Sequence, residues 1–278
     1  MKSFEGKVAA ITGAASGIGR ALALELARQG CHLALSDVDA QGLKHTAAEA
    51  RRYGGRVMTT SVDVADRQQI HAWADAIVRE QGGVNLVINN AGVAHSATID
   101  ATSYEDFGWI MGINFWGVVY GTKAFLPHLK ASGDGHIVNI SSIFGLFAQP
   151  GMSTYNASKF AVRGYTESLR QELDLMRCGV SATCVHPGGI KTNIAKSSRI
   201  SDSLEGFLVA DGARARQDFE KLFITKPEGA ARAILAGVRR NARRVLIGPD
   251  ARAADGLQRL LPAAYQAVIG AAARRALA

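Results

Sequence analysis

Cysteine is scarce in this chain. The three among 278 residues, Cys31, Cys178 and Cys184, lie in apolar surroundings without C-x-x-C spacing. That excludes a disulfide scaffold and a cysteine-rich zinc site, and it suits a reducing compartment. Histidine offers no substitute: His71, His95, His128 and His186 lack H-E-x-x-H or other ligand spacing, so no metal site is expected. No apolar run reaches the ~18 residues of a membrane span. The opening MKSFEGKVAAITGAASG lacks a leader's long apolar stretch, and its glycines would break one. A cytoplasmic protein is the expectation. An excess of one charge is also missing from most of the chain. Residues 1–225 hold 22 Lys/Arg against 21 Asp/Glu, which argues against a nucleic-acid-binding body. The formal net charge of +8 comes from residues 226–278, with ten Lys/Arg against three Asp/Glu.

What is present is globular in composition: 47% hydrophobic and 20% charged residues. A chain of this length suits one large α/β domain with an extension, big enough to bury a core without staples. Short apolar runs alternate with amphipathic stretches. Strands are expected at 7–12, 32–36, 56–62, 84–89, 136–141, 180–186 and 244–248. Helices are expected at 17–30, 40–53, near 66–81 and 103–131, at 153–177 and at 227–241. Such alternation means βαβ units, a parallel sheet covered on both faces, and right-handed crossovers. The expected architecture is α/β: a single doubly wound domain over 1–248, with seven parallel strands and helices on both faces. Residues 190–225 form a polar excursion read as a substrate-binding lid. Residues 249–278 form a basic, amphipathic helical tail.

The first strand runs into Thr12-Gly13-Ala14-Ala15-Ser16-Gly17-Ile18-Gly19. Gly13 permits a tight turn, Gly17 lets backbone approach a pyrophosphate, and Gly19 lets the following helix pack closely. The helix N-terminus then offers free N–H groups to the anion. About 0.015 such matches arise by chance in a chain of this composition, so the turn is informative. A structural strand–helix junction without ligand is the alternative. The second strand ends at Asp37, placed to hydrogen-bond both ribose hydroxyls of an adenosine and to repel a 2′-phosphate. Ser16 and Val38 stand where a phosphate-binding base would be needed. NAD is therefore favoured over NADP, unless Asp37 merely caps the next helix.

Tyr155 and Lys159 are spaced i, i+4 on the helix after the fifth strand and share a face. A neighbouring ammonium favours phenolate, so Tyr155 is expected to have a lowered pKa and to exchange a proton with a substrate oxygen. The spacing alone is weak, with about 0.2 chance matches. Its context is stronger, because the preceding strand ends in Ser141-Ser142 at the edge where such sheets bind ligands.

Together TGAASGIG, NNAG (89–92), Asn114, Ser142, YNASK (155–159) and PGGIKT (187–192) resemble the short-chain dehydrogenase/reductase family, in its single-domain branch with a Rossmann fold. The match spans roughly residues 5–248, in order. The resemblance implies that Tyr155 is the catalytic acid/base and that Lys159 lowers its pKa and binds the nicotinamide ribose. Ser142 would orient the substrate oxygen, and Asn114 would hold a water in a proton relay. Gly13, Ser16, Gly17, Ile18 and Gly19 would cradle the pyrophosphate, with Asp37 on the ribose and Asp63 and Val64 at the adenine. Asn90, Ala91 and Gly92 would line the strand ends and the adenosine ribose. Pro187 and Gly188 lead to Ile190 and Thr192, implied to bind the carboxamide.

The implied activity is NAD(H)-dependent interconversion of a secondary alcohol and a ketone. Ser142, Phe144, Phe147, Met152 and Tyr155, with Leu146 and the segment near Phe207-Leu208, are expected to form an apolar substrate wall. A hydrophobic or aromatic substrate is favoured, with acetoin-type diketones or hydroxysteroids as alternatives. An acyl-carrier ketoreductase would favour NADP, which Asp37 opposes. A non-catalytic dinucleotide-sensing protein would typically lack the Tyr/Lys pair. Trp109, Phe115, Trp116 and Tyr120 are expected to pack a core or a subunit interface, and the family pattern implies a homodimer or homotetramer. In the tail, Leu257, Leu260, Leu261, Tyr265, Val268 and Ile269 recur at helical steps interrupted by Pro262. The tail is read as helices packed on the body or a neighbouring subunit, or as a basic foot on anionic membrane.

Overall fold

All five residues of the first apolar run, Val8–Thr12, are buried, and they form β1. A strand buried throughout needs cover on both faces, and the chain supplies it by winding outward twice from this strand. α1 (Gly17–Arg28), β2 (His32–Asp37), α2 (Ala40–Ala50) and β3 (Val57–Ser61) build one half of the sheet. After α3 (Arg67–Gln81), β4 (Leu86–Asn89) returns to the other side of β1. Then come β5 (His95–Ser96), α4 (Tyr104–Met111), α5 (Gly117–Ala131), β6 (Gly135–Ile140), α6 (Ser153–Met176), β7 (Val180–Pro187) and β8 (Arg199–Ile200). The chain ends with α7 (Pro227–Arg239), β9 (Arg244–Ile247), α8 (Pro249–Leu260) and α9 (Tyr265–Leu277). The computed structural model describes residues 1–192, 194, 198–207 and 223–277.

Seven strands form one parallel sheet, as expected, and their order is β3-β2-β1-β4-β6-β7-β9. Leu22 and Leu26 of α1, Leu43 of α2 and Ile234 and Leu235 of α7 bury against one face. Ile70, Trp73 and Ile77 of α3, Phe125 and Leu129 of α5 and Leu169 and Leu173 of α6 bury against the other. The winding reverses between β1 and β4, so the carboxyl ends of these strands flank the crevice where doubly wound sheets take ligands.

Three local features differ from expectation. The helix expected over 103–131 is interrupted by a five-residue π-turn, Gly112–Trp116, between α4 and α5. Asn114 at its centre bonds sideways to Val93, and Gly117 packs against Val64 where a Cβ would lie 3.0 Å from that side chain. The end of the expected helix 40–53 tightens to a 3₁₀ turn at Arg51–Tyr53, closed by left-handed Gly54. Inside the region read as a lid, β8 pairs with β5 as a separate two-stranded parallel ribbon. Much of that region lies outside the described residues. The tail forms the two expected helices on either side of Pro262. Among the described residues, no helix is long and apolar enough to cross a membrane.

Candidate active site

At the end of β1 the backbone leaves almost no room. Gly13 has φ +66°, and a Cβ there would lie 2.8 Å from the Cα of Ala91. A Cβ on Gly19 would run into the Gly13 carbonyl oxygen, so Gly19 makes space for the turn itself as well as for the helix. Asn90 staples the turn to β4: its Nδ2 donates to the carbonyls of Thr12 at 2.9 Å and Gly13 at 3.1 Å. Thr12 Oγ1 in turn accepts the backbone N–H groups of Asn90 and Ala91, both at 3.0 Å. The Asn90 amide is thus committed to the loop, where the resemblance placed it beside a ribose. Exposed Ser16 caps α1 without a side-chain hydrogen bond, while Ile18 leans on the core. The first turn of α1 keeps the orphan N–H groups that suit an anion.

Asp37 Oδ2 accepts the N–H of Ala15 at 2.9 Å, which ties the tip of β2 to the glycine turn. It does not cap α2, because Asp39 does so through the N–H groups of Gln41 and Gly42. Val38 beside it is largely exposed. Asp63 is exposed after β3, with Oδ1 accepting from Ala65 N at 2.9 Å, and Val64 is buried under Gly117. From the opposite side the loop after β7 folds over the turn. Gly188 N–H bonds Ile247 O at 2.9 Å, Ile190 bridges to Thr225, and a Cβ on Gly17 would lie 3.0 Å from the Thr192 methyl. Asp250 of α8, which sequence reasoning missed, accepts the N–H of Gly189 at 2.6 Å and so pins this loop to the tail. The turn, orphan N–H groups, Asp37 and the Pro187–Thr192 loop together fit a dinucleotide.

Next to this cradle, the first turns of α6 bury Thr154, Tyr155, Ser158 and Lys159. The Ser142 side chain acts on the buried Tyr155 hydroxyl in the direction that favours its charged form, and Ser142 Oγ accepts Phe144 N–H at 3.2 Å. Lys159 Nζ donates to Ile140 O at 3.2 Å and lies 5.6 Å from the centre of the Tyr155 ring. A Cβ on Gly92 would come within 3.4 Å of that ammonium and 3.2 Å of Asn114 Oδ1, so the NNAG turn abuts both groups. Burial lowers Lys159 to about 8. Burial raises Tyr155 above the usual phenol value, with the Ser142 side chain opposing it. The expected lowering of Tyr155 by Lys159 is therefore not found: burial of the phenol sets the direction, and the ammonium is held on the Ile140 carbonyl.

Asn114 is fully buried. Its Oδ1 accepts Val93 N–H at 2.9 Å, and Nδ2 donates to Val93 O at 2.9 Å and Ser158 Oγ at 3.1 Å. Both amide hydrogens are committed to protein partners. His186, noted in the sequence only for lacking ligand spacing, donates from Nδ1 to the Ser142 carbonyl at 2.9 Å. Burial lowers its pKa to about 4, so it is neutral near pH 7. Its partner lies 44 residues away, which no local spacing reveals.

The apolar wall is more distributed than expected. Met152 and Tyr155 share a small cluster with Ala94 and Ile110, against which Phe144, Trp109 and Val93 pack. Phe144 stands edge-on to Tyr155 at 6.1 Å and contacts Phe147 at 5.4 Å. Leu146 is fully buried, Phe207 is half-exposed, and Leu208 lies outside the described residues. Trp109 joins the Tyr155 cluster and lies 3.8 Å beneath the Arg199 guanidinium. Trp116 stacks on Tyr120 and remains exposed. Cys31 and Cys184 are core thiols, pushed up to about 12 by burial.

A glycine turn at the switch point of a parallel sheet, beside a buried Ser–Tyr–Lys set, defines a dinucleotide-binding oxidoreductase. The family model described as "short chain dehydrogenase" matches residues 7–202, and the chain belongs to that family. It is 51% identical over 98% of its length, and 96% of the relative's, to "Putative oxidoreductase SadH" of Mycobacterium tuberculosis. It is 31% identical over 96% of its length to human "Estradiol 17-beta-dehydrogenase 11", covering 83% of that protein. A short chain dehydrogenase/reductase from Burkholderia phymatum, crystallised with NAD, superposes with a TM-score of 0.86 at 31% identity, covering 96% of this chain and 97% of the other.

Proposed function

We propose that this chain interconverts a hydrophobic secondary alcohol and its ketone with NAD(H). The observation that carries this reading is the buried set of Ser142 at the end of β6 and Tyr155 and Lys159 on α6, with the Lys159 ammonium 5.6 Å from the centre of the Tyr155 ring. Gly13, Ser16, Gly17, Ile18 and Gly19 would hold the pyrophosphate, Asp37 the adenosine ribose, Asp63 and Val64 the adenine, and Lys159 the nicotinamide ribose. Ala91 and Gly92 would line the crevice, and Pro187, Gly188, Ile190 and Thr192 would flank the carboxamide. When bound, the dinucleotide supplies or accepts a hydride; the protein supplies orientation and a proton.

In the reductive direction, Ser142 and Tyr155 hydrogen-bond the carbonyl oxygen and Tyr155 donates its proton to it. Burial keeps that proton on the phenol at neutral pH, so reduction starts from the required state. In oxidation the phenolate takes the hydroxyl proton. Reprotonation runs through Lys159 and a water held by the backbone of the π-turn at Asn114. Pairing in such a turn shifts from i−4 to i−5 and leaves a carbonyl without its regular partner. Asp37 favours NAD because its carboxylate would face a 2′-phosphate.

Phe144, Phe147, Met152 and Trp109 favour an apolar or aromatic substrate. A hydroxysteroid is the second reading, supported by the similarity to estradiol 17-beta-dehydrogenase 11. A panel of aryl alkyl ketones, small diketones and 17-ketosteroids, assayed with NADH and NADPH, tests the proposal. It predicts turnover of the apolar ketones with NADH preferred. Binding of NADH without turnover of any ketone would instead favour a dinucleotide sensor. Exposed Trp116, at the end of the π-turn before α5, and exposed Phe160 on α6 support a homo-oligomer through this face.

A further inference from the structure

We infer that Tyr265, the first residue of tail helix α9, is a positioning residue for the substrate wall, an inference that rests on the site proposed above. The segment from Ser142 to Met152 contains a single 3₁₀ turn, Ile143–Gly145, and carries Phe144 and Phe147. Irregular backbone of this kind holds its shape only where its polar groups find partners. On the side facing α6 it has them: Asn156 Nδ2 donates to Gln149 O at 2.9 Å, and Ala97 N–H bonds Gly151 O at 2.9 Å. On the other side the partner comes from the tail. Ala148 N–H donates to Tyr265 Oη at 3.2 Å, across 117 residues of sequence. The Tyr265 ring also stands edge-on to Phe147 at 6.1 Å.

An aromatic chain thus runs from Tyr265 through Phe147 and Phe144 to Tyr155, the residue proposed to move the proton. Tyr265 is 6% exposed, and among the described side chains of α9 it is the one that is buried. The rest of the helix therefore serves mainly to deliver this ring. A phenol suits the task because its ring fills apolar space while its oxygen meets a backbone donor. Without the ring, Phe147 loses its outer support and the wall widens. Substrates that fill the wall should lose affinity, and small ones should not.

The test compares the full chain with Tyr265→Phe and Tyr265→Ala. Hydrogen–deuterium exchange is read on peptides spanning 143–152, and kcat and KM are measured with NADH for acetophenone and for butan-2-one. In Tyr265→Ala, exchange in this segment should rise about tenfold, as expected for a loop released from one anchor. KM for acetophenone should rise about tenfold, equivalent to 1.4 kcal/mol. KM for butan-2-one, kcat and NADH affinity should stay near wild type. Tyr265→Phe keeps the ring, so it should release the Ala148 amide while retaining an acetophenone KM within about twofold. A purely structural role would lower the melting temperature and the active fraction without changing the ratio between the two ketones. Unchanged exchange in both variants, or an unchanged ketone ratio in Tyr265→Ala, overturns the inference. If Tyr265→Ala does not fold, exchange at Ala148 in Tyr265→Phe decides. If wild type reduces neither ketone, the proposed reaction fails, and the exchange measurement still settles whether Tyr265 holds the wall.

Discussion

The two ends of the ligand crevice are built from different materials. At the glycine turn, proposed to hold the cofactor, backbone forms the surface, and space is so tight that a Cβ on Gly19 would strike the Gly13 carbonyl. At the end proposed for the substrate, side chains make the surface, and an aromatic ring delivered from the tail contacts it. The first end leaves almost no room for a larger residue. The second can be retuned residue by residue while the chemistry between them stays in place.

The largest expected effect comes from the chemistry itself. Tyr155→Phe should lower kcat about a thousandfold, within the range for removing a general acid. NADH affinity should survive, because the ring remains. Next comes the rigid end. Gly19→Ala should cost about 2 kcal/mol of stability in urea unfolding, as overpacking does, and should abolish NADH fluorescence enhancement. A variant that binds NADH normally would break the contrast between a tight and a tolerant end. Asp37→Ser with Val38→Arg should shift the NAD/NADP ratio of kcat/KM about a hundredfold toward NADP, as removal of like-charge repulsion allows. A smaller effect is expected at the substrate end: Phe147→Ala should raise KM for an aryl ketone about tenfold and leave NADH binding alone, a loss of about 1.4 kcal/mol.

Acid stability sharpens the comparison from another side, because His186 lies under Ser142. Its folded value is about 4, against about 6.5 in an unfolded chain. Between those values the unfolded chain binds a proton that the folded one refuses, so stability falls as pH drops from 6.5 toward 4. The loss from this group is about 3 kcal/mol by pH 4. Buried His136, lowered to about 3, adds to it in the same direction. Thermal melts from pH 7.5 to 4.5 should show a falling midpoint, and His186→Asn should flatten that slope.

The same contrast explains what was legible in the sequence. A backbone-built cradle writes itself as closely spaced glycines, so TGAASGIG marks its own residues. The i, i+4 pair Tyr155 and Lys159 was legible for a similar reason: one helix face holds both. The strand–helix alternation likewise carried the sheet. The tertiary partners were not legible. His186 reaches Ser142 across 44 residues, Ala148 reaches Tyr265 across 117, and Asp250 reaches Gly189 across 61. No local period records such contacts. The direction of the Tyr155 shift was missed because spacing reports a neighbouring charge and not the burial that outweighs it. The π-turn at Asn114 was hidden because its side-chain partner, Val93, lies 21 residues earlier.

The central claim is that Tyr155 donates the proton that completes ketone reduction. The most direct measurement supplies 4-deuterated NADH and acetophenone to wild type and to Tyr155→Phe, and follows the product by mass spectrometry while NADH affinity is measured in parallel. The account predicts 1-phenylethanol carrying deuterium on its carbinol carbon from wild type. From Tyr155→Phe it predicts undiminished NADH binding and only trace deuterated product. Deuterated alcohol formed at the wild-type rate by Tyr155→Phe would contradict it.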